Sequence, residues 1–578
     1  MKTFLQLLVF SLANMLLFSN HTLAQFGVLD VSFGTNGVKG IDYNSGSDES
    51  FATALQSDGK ILVGGRTDNN NNSTDALLVR LNSDGSIDSS FGTAGRVVTN
   101  ISNQDLIKGI VVQPDGKIIA GGFYITDDGH YFVMRLNADG SFDNTFGSAG
   151  IDTFGQFQGT LQSVLLQSDG KILLAGSDYT NTNKHSFLMR LKSDGSIDST
   201  FSADGKVIYN ISTQEDEIYQ VILQPDGKVL ACGFKWNVNT ANLFAFRLKT
   251  DGSMDSTFSS DGIAVLEGTN FNGYCLALQD DGKIVVAGEG ENGNNYDYLI
   301  ARFHPNGNLD SSFASNGYTL FPISTQEDEV RGVGIDSAGK IVLAGTSRIP
   351  STYMNVSLAR LKTNGSLDST FGSGGKVISD LNGIYGSESM AAVLKPNDDV
   401  ITVGSYYGGS SKDFAVAQFT GKCNVDNSIS TSGFTLTAMQ TAARYQWLNC
   451  DKNNEAIKDD TLPSFTAKSN GRYAVAITLN GCTNTSQCVN VTGVGILDVS
   501  TLSASIYPNP ATNLVNVQMN NAGEQVLLSV KNTIGVTVLS QSINNTIQAI
   551  DIALLAKGIY FIELQSSDRR SVTKLIKE

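Results

Sequence analysis

Seven times between residues 29 and 419 the chain repeats a phrase of about 55 residues, a period that belongs to solenoids and propellers. One copy runs VVQPDGKIIAGGF (111–123), then a variable polar stretch, then YFVMRLNADGSFDNTFG (131–147). The glycine after the turn aspartate recurs as Gly59, Gly116, Gly170, Gly227, Gly282 and Gly339, and Asp398 stands there in the seventh copy. The closing aromatic recurs as Phe33, Phe91, Phe146, Phe201, Phe258, Phe313 and Phe371. Units this short cannot bury their apolar faces alone, so each copy must stack on its neighbours.

Each copy reads as four short strands, in the second copy near 96–100, 109–113, 117–123 and 131–137, rich in Val and Ile and punctuated by Gly, Asp and Asn. The Asp-Gly pairs mark two-residue hairpin turns, which need positive φ at both central positions. Ala338 replaces the aspartate in one copy, which suits a turn residue better than a catalytic group or metal ligand. Arg80, Arg135, Arg190, Arg247, Arg302 and Arg360 share one strand position, with Gln418 in the seventh copy. Such arginines are expected to pair with a nearby turn aspartate or carbonyl rather than bind an anion. The last strand, 414–420, is followed by no DGSxDxxF phrase, whereas its equivalent LDVSFG (29–34) opens the repeat region. A ring closed inside one blade explains this phase shift, because the N-terminal piece completes the last blade and covers two sheet edges. The expected fold is all-β: a seven-bladed β-propeller over 25–420, followed by two small β-sandwich domains at 421–495 and 503–578.

The first 24 residues read as a secretory signal peptide: Lys2, an apolar run from Phe4 to Phe18, and small residues before Gln25. That run is short for a spanning helix and nothing later approaches such a length, so no transmembrane segment is expected in the mature chain. The formal charge of −16 opposes phosphate backbones and argues against nucleic-acid partners. Cys423, Cys450, Cys482 and Cys488 cluster after the repeats; in an oxidising compartment they read as two disulfides with three possible connectivities. Cys232 and Cys275 lie in apolar strands and read as buried thiols.

The phrases LNSDGSIDSSFG, LQSDGKILVGG and VMRLN resemble the delta-60 repeats of bacterial surface and secreted proteins, over about two thirds of the chain. That resemblance implies a propeller-like β fold and no shared activity. YQWLNC (445–450), NGRYAVAI (470–477) and NGCTNTSQCVNV (480–491) suggest a disulfide-stapled antiparallel sandwich around Trp447 and Tyr473, similar to immunoglobulin-like modules. The terminal segment resembles the type A C-terminal sorting domain of the type IX secretion system. The resemblance rests on Tyr507-Pro508-Asn509-Pro510, Gly558-Ile559-Tyr560, Lys574 and Lys577. It implies type IX machinery as a partner and a secreted or cell-surface location.

No HExxH, GxSxG or phosphate-cradling loop is present, and the histidines past the leader, His130, His185 and His304, hold unrelated positions in their copies. Variable loops on the ring face opposite the Asp-Gly turns carry Tyr124, Tyr179, Trp236, Tyr296, Tyr353 and Tyr406 among Asn, Ser and Gly. Aromatic platforms flanked by amides suit sugars or protein partners, and binding residues favour loops on rigid scaffolds. ISTQEDE occurs twice there; Glu215, Asp216, Glu217, Glu327, Asp328 and Glu329 are candidate calcium ligands, and no other cofactor is expected. The expected function is non-catalytic binding or adhesion at the cell surface. The alternative is an extracellular polysaccharide or peptide hydrolase with carboxylates near the ring axis.

Overall fold

The computed structural model describes residues 26–578 apart from 70–72, 127–128, 180–182, 203, 294, 350–353, 382–385, 408–410, 422–424, 480–481, 495–499, 520–524 and 567–568. The leader, Tyr353 and Cys423 therefore lie outside the described residues, as does the side chain of Cys482. The chain divides into two compact units, one reaching Asp426 and including Thr478–Asn484, the other made of Asn427–Ile477 and Thr485–Glu578.

In the first unit the described repeats form seven antiparallel groups of four strands. The group nearest the N-terminus runs Asp48–Leu55, Ile61–Asp68, Thr74–Leu81 and Arg96–Thr99; a single parallel bridge, Thr74 to Gln104, joins it to the next. The strand near 96–100, read from sequence as opening the second copy, is thus the outermost strand of the group before it. The hairpins form at the Asp-Gly pairs, but only the glycine takes positive φ, Gly116 at +85. Gln113 N donates to Lys117 O at 2.8 Å and Gly116 N to Gln113 O at 2.9 Å. The loop therefore holds three residues rather than the expected two, with the left-handed conformation carried by glycine alone. In the seventh copy Asp398 takes the left-handed conformation at φ +68, as a small polar residue tolerates.

The last group is completed from the other end of the chain. Val38–Ile41 pairs antiparallel with Lys412–Phe419, and Gly27 N and Asp30 N donate to Thr420 O and Gln418 O, both at 2.8 Å. A ladder of turn-to-turn bonds links consecutive groups, such as Gly92 N to Asp139 O (2.7 Å) and Gly147 N to Asp194 O (2.9 Å). Its last rung, Gly372 N to Phe26 O at 2.7 Å, uses the N-terminal segment in place of a turn. The seventh and first groups also share one apolar core, in which Ile401, Val403 and Phe414 pack with Ile61, Val63 and Leu77.

The repeated arginines do what their sequence position suggested. Arg190 Nε donates to Asp198 at 2.7 Å, its Nη1 reaches Thr250 O in the next group's turn at 2.7 Å, and its guanidinium lies 4.7 Å from the Phe201 ring. Phe201 is fully buried there. Where Gln418 replaces arginine, its amide reaches Asp399 and also Asp30 from the N-terminal phrase, at 3.1 and 2.7 Å.

In the second unit, Ile429–Ser432, Thr435–Ala438 and Ser464–Thr466 make one sheet, and a second is built around Arg444–Asn449 and Gly471–Leu479. Trp447 is fully buried against Phe465, with ring centroids 5.3 Å apart, and Cys450 is bonded to Cys488. That disulfide was one of the pairings left open by the sequence. Two further sheets over 500–577 enclose a core of Val515, Val517, Leu528, Val530, Ile562 and Leu575. The YPNP segment is tied into the last strand: Asn509 Nδ2 donates to Lys574 O at 2.7 Å, and Asn509 Oδ1 accepts from Ile576 N at 2.8 Å. Among the described residues no helix is long and apolar enough to cross a membrane.

Candidate ligand-binding site

The first strand of every repeat group has the same interruption. In each, one residue is skipped in the pairing with the second strand, and the skipped residues are Phe51, Lys108, Gln162, Tyr219, Tyr274, Arg331 and Met390. A β-bulge of this kind re-aims a side chain that strict alternation would place elsewhere. The second strand makes room for it. Opposite the residue before each bulge stands Gly65, Gly122, Gly176, Gly233, Gly288, Gly345 or Gly404. A Cβ on any of these glycines would overlap the partner strand's carbonyl oxygen.

All seven skipped residues line one cavity of about 200 Å³, whose wall takes residues from the first strands of all seven groups. Its chemistry is cationic and aromatic. Arg331 lies 4.2 Å from the Tyr274 ring and 6.0 Å from that of Tyr219, and these two tyrosines meet edge-on at 4.8 Å. Lys108 Nζ sits 4.3 Å from the Phe51 ring; such face contacts hold a cation in a partly dry wall. Burial and the neighbouring Arg331 push the Lys108 ammonium down to about 8.

Carboxylates near the cavity are already engaged. Glu49 meets Lys412 (3.0 Å) and Arg66; Glu217 meets Lys184 (2.6 Å) and Gln162 (3.0 Å); Glu289 accepts from Tyr274 (2.6 Å); Glu329 lies against Arg331. Arg66 and Lys412 outweigh the desolvation of Glu49 and hold its carboxyl below the usual range.

The loop aromatics expected from sequence are dispersed. Tyr124 is buried against the His130 ring, while Trp236, Tyr296 and Tyr406 are half-buried. Tyr179 is exposed, with Lys184 5.8 Å from its ring. The acids of the two ISTQEDE loops are not gathered either. Asp216 accepts from Ser186 N and from a His185 ring nitrogen, Asp328 from Ile323 N and Ser324 N, and Glu327 pairs with Arg348, leaving Glu215 exposed. Strand geometry explains this, since successive residues such as Asp216 and Glu217 point to opposite faces. Among the described residues, the cluster of acids close enough to share an ion is Asp42, Asp48 and Asp413, none of them singled out from sequence.

The bulge residues were missed because period-two alternation hides a one-residue bulge. The available signal was the column F, K, Q, Y, Y, R, M, a highly varied position within a monotonous strand, read beside the invariant glycine.

Residues 56–91, 113–146, 167–201, 224–258, 279–313 and 339–371 match the family described as "Domain of unknown function (DUF5122) beta-propeller". Residues 505–578 match the "Secretion system C-terminal sorting domain". No curated protein matches the chain. Similar solved structures include a catalytically inactive virginiamycin B lyase from Staphylococcus aureus (11% identity, 66% of this chain and 98% of that one, TM-score 0.40). The β-propeller domain of the Trilobed protease from Pyrococcus furiosus is another (10%, 64% and 95%, 0.35). PorZ, a surface component of the type IX secretion system of Porphyromonas gingivalis, is a third (10%, 92% and 74%, 0.27). The sorting domain marks a secreted or outer-membrane surface protein that engages type IX machinery. The chain is therefore an assembly of DUF5122 β-propeller repeats that ends in a type IX C-terminal sorting domain.

Proposed function

We propose that this is a non-catalytic binding protein of the cell surface, whose repeats close into a seven-bladed propeller over 25–420. A disulfide-stapled immunoglobulin-like spacer at 421–495 and the sorting domain at 503–578 complete it. The variable-loop face and the axial cavity form its ligand surface, and the ligand class is an anionic glycan or an acidic extracellular protein segment. The observation that carries this reading is the seven-fold bulge, which delivers two cations, three aromatic rings, an amide and a thioether into one cavity. Rings stack on sugar faces or side chains, while Lys108 and Arg331 meet carboxylate or sulfate groups. The engagement of Glu49, Glu217 and Glu289 by neighbouring side chains supports binding over acid–base hydrolysis, which needs a free carboxyl pair.

The test is an array of neutral and acidic glycans probed with the purified protein and with Lys108→Ala and Arg331→Ala. Binding of acidic members is expected to weaken about ten-fold or more in each variant, the loss of one charge-assisted contact, with thermal unfolding unchanged. Binding indifferent to both changes, or lost only on substituting the Asp-Gly turn face, overturns the reading. Affinity is also expected to fall as pH rises through about 8, because Lys108 loses its charge there; a flat profile from pH 7 to 9 removes Lys108 from the site.

A further inference from the structure

Where the N-terminal strand closes the ring, three carboxylates converge, two from the N-terminal stretch and one from the last strand of the repeats. Asp42 follows the closing strand Val38–Ile41, Asp413 lies beside it on Lys412–Phe419, and Asp48 opens the first strand of the first group. One oxygen from each lies within 4.8 Å of the others. That is the span allowed to ligands about 2.4 Å from a common calcium ion.

Equivalent seams elsewhere in the ring show how this position is normally satisfied. Between the first and second groups Asp75 accepts from Asn69 Nδ2 at 3.1 Å and from Asn100 Nδ2 at 2.6 Å. Asp297 accepts from Asn292 Nδ2 at 2.8 Å, and at another seam His185 faces Asp216 at 3.1 Å. By strand register, Asp413 occupies the place of Asp75, and Asp42 that of Asn100. The donor amide is thus replaced by a third acid. Asp48 is fully buried and Asp413 is 9% exposed, yet Oδ1 of each has no hydrogen-bond partner. Asp48 Oδ2 accepts from Tyr43 N at 2.6 Å, and Asp42 Oδ1 from Ser45 N at 2.9 Å. Thr67, opposite Asp48 in the strand pair, adds a buried hydroxyl that faces the Asp48 carboxylate. Among the described residues no Lys, Arg or His forms an ion pair with any of the three carboxylates, and Arg96 Nη2 reaches only the backbone O of Asp42, at 3.5 Å.

Orphaned buried carboxylate oxygens are costly, and an all-oxygen set of this span matches a hard divalent cation rather than zinc or copper. We propose that Asp42, Asp48 and Asp413, with Thr67, bind a calcium ion that clamps the closing strand to the first and last repeat groups. Because Asp413 meets Asp42 and Asp48 only when the N-terminal strand pairs with the last group, binding the ion and sealing the ring are linked equilibria.

The test uses the protein stripped with chelator and titrated with calcium, read by thermal unfolding and by calorimetric binding. The wild type is expected to bind one calcium at this seam and to gain melting temperature with calcium concentration. Asp42→Asn restores the amide seen at Asn100, so it should melt higher than wild type in chelator and lose the calcium response. Asp413→Asn should also lose that response, which keeps the test decisive if Asp42→Asn misfolds. A calcium shift of wild-type size in both variants overturns the assignment. So does no shift in wild type at about 10 mM calcium, beyond the weakest extracellular sites, or a response to zinc alone.

Discussion

Arg190 shows how one side chain serves three purposes. It neutralises the buried Asp198, ties its group to the next through Thr250 O, and covers the Phe201 ring. Arg190→Met would keep the packing and leave Asp198 with Thr200 N and Oγ1 as donors and Lys171, 3.6 Å away, as its cation. The expected cost is about 3 kcal/mol, the low end for breaking a buried pair, measurable as a reduced urea midpoint at unchanged m-value. Phe201→Ala should cost roughly 3–5 kcal/mol through the cavity it leaves. Both roles were legible in the sequence because they recur at fixed spacing. The partner carbonyl Thr250 O was not, because it lies 60 residues away in the adjoining group.

At the scale of the element, the hairpins were readable and the bulges were not. A turn announces itself by Asp-Gly; a bulge shows only as a glycine on the facing strand. Seams between groups carry the titratable chemistry, with opposite signs at two places. Asp198, Asp310 and Asp368 are held at about 2; their neighbouring hydroxyls, amides and arginines outweigh desolvation. Their folded pKa lies below the unfolded value near 3.8, so their stabilisation is present above that value and is lost as pH falls toward 2. Asp105 is raised to about 6, chiefly by burial and with a smaller contribution from Asp75. Its folded state holds the proton more tightly, so stability is gained as pH falls through about 6 toward 4. The expected profile climbs from neutral pH to a maximum near about pH 4–5 and falls below it, as thermal unfolding across pH 2–8 in chelator would show. A profile flat from pH 7 to 5 would remove Asp105 as a contributor.

At the scale of the whole molecule, the last repeat group is completed by a short segment from the far end of the chain. Phe26 receives the last rung of the turn ladder, Gly27 and Asp30 bond the seventh group, and Val38–Ile41 supplies its outer strand. Deleting 26–41 exposes the edge of Lys412–Phe419 and removes the Phe33 side chain from the core shared by the first and seventh groups. Such an edge invites pairing with another chain. The deletion is expected to lower the melting temperature and to produce oligomers on size-exclusion chromatography; a monomer of wild-type stability would show that closure contributes little. The amino-acid sequence by itself determined the repeat, its strands and turns, the arginine braces, the phase-shifted start and the sorting tail, because these depend on local spacing and on motifs that copies share. Only the tertiary structure decided which side chains meet in the shared cavity and where the N-terminal strand joins the last repeat group. Phe51 and Arg331, like Asp42 and Asp413, are hundreds of residues apart along the chain, and one-residue bulges and strand register, both set by packing between groups, bring them together.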